Sequence, residues 1–269
     1  MNKNFHFILM AGLFAGSPAA LAEGVTINGF LTTSVARLDK ADLTYLNSFT
    51  DEARFDNTDS RLGLQFSGAI NNRMSATAQL LARGRGGNNA IETDWAFVSM
   101  DVARQTQVRT GKLKFPTFLI SDYYEVGYAY PWMRPPQEVY SLNPITTLVG
   151  VDMLYAPNFG RTDLLVQPFV GSNRGTAELS GQQAVAFSMP AGTELPFSAP
   201  LLAGINAVFN FGVGSFRLGY LQAEVNADMN GDGIDDIAGD KAAFASAGVT
   251  VDWHNAVVYA EYADRNAEE

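Results

Sequence analysis

The sequence predicts an all-β fold of the transmembrane antiparallel β-barrel kind. Three observations predict it. The chain opens on an export signal, its apolar residues alternate with polar ones instead of recurring at helical spacing, and its connections are short and long by turns.

The first 22 residues read as a cleavable signal peptide. Lys3 gives a positive start, residues 5–15 form an apolar run too short to cross a bilayer as a helix, and Ala20-Leu21-Ala22 is a small-x-small cleavage site. The folded domain is then 23–269, starting at Glu23. It holds no cysteine, so a disulfide scaffold is excluded. The net charge is −10, which argues against nucleic acid as a partner and against a polybasic attachment to lipid. Beyond the signal no apolar stretch reaches the length of a spanning helix. Two architectures remain, a soluble exported β protein and an outer-membrane barrel.

The strands follow in order. Residues 25–37 form the first. In 61–70, Leu62, Leu64, Phe66 and Ile70 share one face, while Arg61, Gln65 and Ser67 share the other. A polar turn at 71–73 leads into 74–83, where Met74, Ala76, Ala78, Leu80 and Ala82 oppose Ser75, Thr77, Gln79 and Arg83. Strands are expected at 95–102, 107–114, 150–156, 162–171 and 207–212. In 215–224, Phe216, Leu218 and Tyr220 oppose Arg217 and Gly219. In 242–253, Ala245, Ala247, Val249, Val251 and Trp253 oppose Ser246, Thr250 and Asp252, and 256–264 follows the His254-Asn255 turn. About eleven strands result. Short turns at 71–73, 103–106, 158–161, 212–214 and 254–255 alternate with long connections at 39–59, 84–93, 115–148, 172–202 and 225–241. Membrane barrels keep that alternation.

The two faces differ in chemistry. Opposite the apolar stripe stand Arg61, Gln65, Gln79, Arg83, Asp152, Gln167, Arg217 and Asp252, which a water-filled lumen accommodates at little cost. The solvent face of a soluble sheet has the same period, so both readings stay open here. Trp95, Tyr155, Phe209, Phe211, Phe216, Tyr220, Trp253, Tyr259 and Tyr262 lie near strand ends, as interfacial girdles require and as an ordinary core also allows.

Three features carry the functional expectations. The connection 115–148 is long and rich in proline and aromatic residues, with charges of both signs, which marks a rigid functional loop able to fold into a pore. The run from Asp228 to Asp236 sets Asp228, Asn230, Asp232 and Asp236 at calcium-loop spacing, with Gly233 at the sharp turn, although no bidentate acid follows at the usual place. An acidic surface loop accounts for it equally well. Ca2+ is the one cofactor the spacing admits, and none is required. Enzyme signatures are scarce: His254 is the sole histidine after the signal, and nucleophile-elbow, P-loop and dinucleotide motifs do not occur. The expectation is no catalytic activity.

The segment Gly111-Lys112-Leu113-Lys114-Phe115-Pro116 resembles the strand leading into the inward-folded constriction loop of Gram-negative general porins, and residues 121–140 resemble the loop itself. The resemblance covers the mature chain. It implies a sixteen-stranded barrel, commonly a homotrimer, set in outer-membrane lipid and passing small hydrophilic solutes and ions. It further implies that Asp122, Glu125, Arg134 and Glu138 rim the constriction, with Arg61, Arg83, Arg109 and Lys112 as the basic wall opposite. Arg109 and Lys112 cannot both face inward without a bulge. The chain ends Asn266-Ala267-Glu268-Glu269 instead of on an aromatic residue, and eleven strands is an odd count, so the expectation is a barrel incomplete at the C-terminus. The alternative is a soluble exported β-sandwich with a calcium loop and a binding role.

Overall fold

The structure is a computed structural model that describes residues 24–37, 54–85, 88–132, 134–140, 142–143, 145–159, 162–178, 194–228 and 235–267. The expected signal peptide lies outside the described residues. The strands are β1 (Val25–Ala36), β2 (Arg54–Asn71), β3 (Met74–Arg85), β4 (Asn88–Ala103), β5 (Thr106–Lys114), β6 (Thr147–Tyr155), β7 (Asn158–Phe159), β8 (Thr162–Glu178), β9 (Glu194–Phe211), β10 (Gly214–Ala227), β11 (Ile237–Trp253) and β12 (Ala256–Ala267). Each pairs antiparallel with its neighbour in sequence, in one sheet, with the two-residue β7 set aside against β8. This is the up-and-down order of a barrel wall. The expected all-β class is met, and the eleven long strands match the eleven expected.

Local chemistry sets the hairpins. The β4–β5 turn holds Gln105 at φ 82°, the β9–β10 turn Gly212 at φ 51° and the β11–β12 turn His254 at φ 55°. Such left-handed residues match a tight turn to the twist of its strands. In the β2–β3 turn, Arg73 N donates to Asn71 Oδ1 at 2.9 Å.

The strands outrun the sequence reading on the long-connection side. The connection expected at 84–93 is largely strand: β3 reaches Arg85 and β4 begins at Asn88. β2 starts seven residues earlier than expected and β8 runs on to Glu178. The ladder continues there through polar sequence such as Asn173, Arg174 and Thr176, where alternation of apolar residues no longer marks it.

The outer face is an apolar band that no second layer among the described residues covers. Leu62, Leu64 and Phe66 of β2, Val149, Val151 and Met153 of β6, Ile205 and Phe209 of β9, and Leu218 and Tyr220 of β10 are all exposed on it. Tyr155, Phe211, Phe216 and Trp253 extend it toward the short turns. Two aromatics expected there face the other way. Trp95 stands opposite inward Gln79 and lies beside the Lys114 ammonium, and Tyr259 meets Trp132 of the long loop.

The sheet curls around the segment between β5 and β6, which touches β2 and β3 on one side and β10 to β12 on the other. The hydrophobic core lies inside this curl. It joins Phe115, Phe118, Leu119 and Ile120 of the loop to Leu148, Phe169, Leu202, Leu221 and Phe244 of the wall.

Candidate functional site: a loop strapped across the inner face

The loop leaves β5 and turns inward at once. Every residue from 113 to 121 is buried. Phe115 meets Phe169 edge-on with ring centroids 5.3 Å apart, and Phe118 meets Phe244 at 5.4 Å and Tyr140 at 4.7 Å. Two inward glycines make room. A Cβ on Gly219 would lie 2.7 Å from Ser246 Oγ, and one on Gly248 would lie 3.1 Å from the Leu119 side chain. Ser246 Oγ donates to Thr117 O at 2.6 Å across that space. Glu261 of β12 then accepts from Leu119 N at 2.7 Å and from Tyr140 Oη at 2.6 Å, joining both ends of the loop to one strand. Burial, reinforced by the Glu261 carboxylate, pushes the Tyr140 phenol well above its ordinary range, so it stays a donor. Burial likewise raises Tyr123.

The second mooring is ionic. Arg61 and Arg83 are register partners on β2 and β3. Both reach Glu125, from Arg61 Nη1 at 2.7 Å and from Arg83 Nη1 at 3.1 Å. Burial alone would raise the Glu125 carboxyl, but the two guanidiniums outweigh it and hold it below the usual carboxylate range. Arg83 also pairs with Glu92 at 2.6 Å.

Behind these contacts runs a polar belt on the wall. Arg109 forks onto Asp152, whose Oδ2 also accepts from Gln167 Nε2 at 2.8 Å. Gln167 Oε1 accepts from Asn206 at 3.3 Å, and Asn206 Oδ1 accepts from Arg217 Nε at 2.9 Å. Arg217 Nη1 donates to Leu119 O at 3.3 Å, which ends the belt at the loop. On β4, the register shift beside Gln79 and Leu80 turns Asp94 inward along with Trp95. Asp94 accepts from Lys114 Nζ at 2.6 Å and from Gln79 Nε2 at 2.8 Å, all three residues being buried.

The structure joins Glu125, expected on the rim, directly to Arg61 and Arg83, expected on the wall opposite. It places Asp122 in the loop near Arg217 at 3.7 Å, with the Asp122 side chain 65% exposed. Arg134 is half-buried in the loop. Glu138 lies on the short helix α1 (Gln137–Tyr140), and its side chain is outside the described residues. Arg109 faces inward but is committed to Asp152. Lys112 does not belong to the basic wall. Three residues beyond Arg109, it emerges on the opposite face between Ala96 and Val149, and its Nζ donates to Thr93 O at 2.5 Å. Of the proposed calcium ligands, Asn230 and Asp232 lie outside the described residues. Asp228 is buried at the end of β10 and Asp236 is exposed before β11. No group of three or more His, Cys, Asp or Glu side chains able to share a metal occurs among the described residues. Sequence reasoning missed Glu261, Asp94 and Lys114. The first two are carboxylates on strands whose partners lie 15 or more residues away, and no local spacing marks them.

No family model matches the chain, and no curated protein matches it. Among solved structures, in-vitro folded OmpT, an outer membrane protein of Vibrio cholerae, aligns with 90% of this chain and 77% of its own length, at 12% identity and TM-score 0.39. Its loop L8 deletion mutant aligns over 91% and 83%, at 13% identity and TM-score 0.39. Outer-membrane expressed OmpT aligns over 91% and 88%, at 14% identity and TM-score 0.35. Overlap of that order leaves the chemistry of the site to this chain's own residues.

In chemical terms the arrangement is a strap. One part of the loop is fixed by apolar burial, another by a carboxylate held between two guanidiniums, and the stretch between them crosses the concave face.

Proposed function

We propose that the chain forms a porin-type, water-filled channel in the outer membrane of a Gram-negative bacterium, passing small polar solutes and ions by diffusion and catalysing no reaction. The observation that carries this reading is the strap itself: a loop held to opposite parts of a curled sheet whose outer face is an uncovered apolar band. A soluble sandwich would bury that band against a second sheet. Here the band stays outside, and the polar and charged residues line the inside, as hydrocarbon on one side and water on the other require. A loop crossing the inside narrows whatever path runs through it. Assembly as a homotrimer, implied by the resemblance to general porins, belongs to the same proposal.

The test is reconstitution of the purified chain into lipid vesicles and planar bilayers. Swelling of vesicles in small neutral sugars and stepwise conductance are expected. A chain monodisperse in buffer without detergent, and silent in bilayers, would overturn the proposal in favour of the soluble reading.

A further inference from the structure

The charges on the inner face are unequal in exposure, and among the exposed ones acids outnumber bases. Most inward bases among the described strand residues are matched by acids: Arg61 and Arg83 by Glu125 and Glu92, Arg109 by Asp152, and Lys114 by Asp94. Arg265 on β12, register partner of inward Phe244, is exposed at the long-connection end. Arg217 is buried in the polar belt, with its side chain 7% exposed. The loop base Arg134 also has a partner. Lys112 faces outward.

The acids are matched less closely. Asp122 projects from the strap with most of its side chain exposed, held to Arg217 only by a contact of 3.7 Å. Toward the short turns, Asp101, Asp163 and Asp252 occupy inward positions on β4, β8 and β11, all exposed. None of the three has a base within ion-pair reach among the described residues; Asp101 accepts only from the neutral Gln107 amide, at 3.0 Å. The bases nearest that end, Arg73 and Arg104, sit in the turns outside the strands.

We infer that the channel prefers cations to anions, with Asp122 as the specificity-determining residue at the strap and Asp101, Asp163 and Asp252 as an acidic vestibule beneath it. The inference rests on the channel reading above. Paired charges present a solute with dipoles whose fields fall off quickly. An unpaired carboxylate in water acts at longer range, and at about 6 Å one unit charge changes the local concentration of a monovalent ion roughly threefold. Salt screens this field, with a Debye length near 10 Å at 0.1 M and near 3 Å at 1 M.

The experiment is the zero-current potential of the whole chain in a neutral-lipid planar bilayer under a KCl gradient. A potential directed toward potassium is expected, with a permeability ratio that falls between about 0.1 M and 1 M salt. Asp122→Asn should lower that ratio roughly threefold, and Asp122→Lys should lower it further. Because Asp122 is exposed, both variants should insert like the parent. Channels that conduct with a zero or chloride-directed potential would overturn the inference and leave the channel reading standing. A ratio unmoved by both substitutions would remove Asp122 from the role. Absence of any conductance would sink the channel reading, and the inference with it.

Discussion

The loop is moored twice, and the two moorings are built from opposite materials. Against β8 to β11 it is fixed by Phe115, Phe118 and Ile120, packed on Phe169, Leu221 and Phe244, with almost no exposed surface. Against β2 and β3 it is fixed by one carboxylate between two arginines. The apolar mooring depends on volume and is indifferent to pH. The ionic mooring depends on charge, and its bases stay partly open to water. Stability and tunability are thus divided between the two sides of one strap: the first sets where the loop sits, the second how firmly its far end closes.

Breaking the apolar mooring should have the largest effect. Phe115→Ala removes a fully buried ring and leaves a cavity, so a loss of about 3–5 kcal/mol is expected in denaturant unfolding from detergent. Glu125→Gln keeps the shape and removes the charge. It should cost about 1.5–3 kcal/mol and expose the loop to limited proteolysis near Glu125 while the strands stay protected. The same mooring should fail in acid. Because the folded carboxyl lies below its ordinary value of 4.5, its contribution is complete above that pH and is lost as pH falls through the lowered value. Proteolysis near Glu125 should therefore rise below pH 4.5 in the parent and show no such step in Glu125→Gln. Tyr140→Phe deletes one hydrogen bond to Glu261 and should cost about 1 kcal/mol. Lys112→Met, on the outer face, should change stability by no more than about 0.5 kcal/mol and leave the KCl zero-current potential where it was. A shift in that potential would return Lys112 to the inner wall.

The contrast between the moorings also explains what the sequence made legible. Strand existence and facing were readable because Leu62, Leu64 and Phe66 alternate with Arg61 and Gln65, and the structure keeps that alternation. Half of the ionic mooring was readable for the same reason, since Arg61 and Arg83 are charges opposite an apolar stripe, whereas Glu125 was singled out only by the resemblance to porins. The apolar mooring was not. Phe169, Leu221 and Phe244 face inward, where a polar residue is the expectation for a wet lumen, and only the folded loop accounts for them. Asp94 escaped notice because its inward turn depends on a bulge, and no period-2 count registers an extra residue. The strand extensions beyond the apolar stretch were invisible because polar residues on both faces leave no alternation to read.

A channel requires one face of each strand to meet hydrocarbon and the other to meet water. The chain has no cysteine, so single cysteines can report it directly. In lipid vesicles, Val151→Cys, Ile205→Cys and Leu218→Cys should resist a membrane-impermeant thiol reagent, while Asp101→Cys, Asp163→Cys and Asp252→Cys should react. Equal reaction at both sets, or protection of the aspartate positions alone, would contradict the assignment of the two faces.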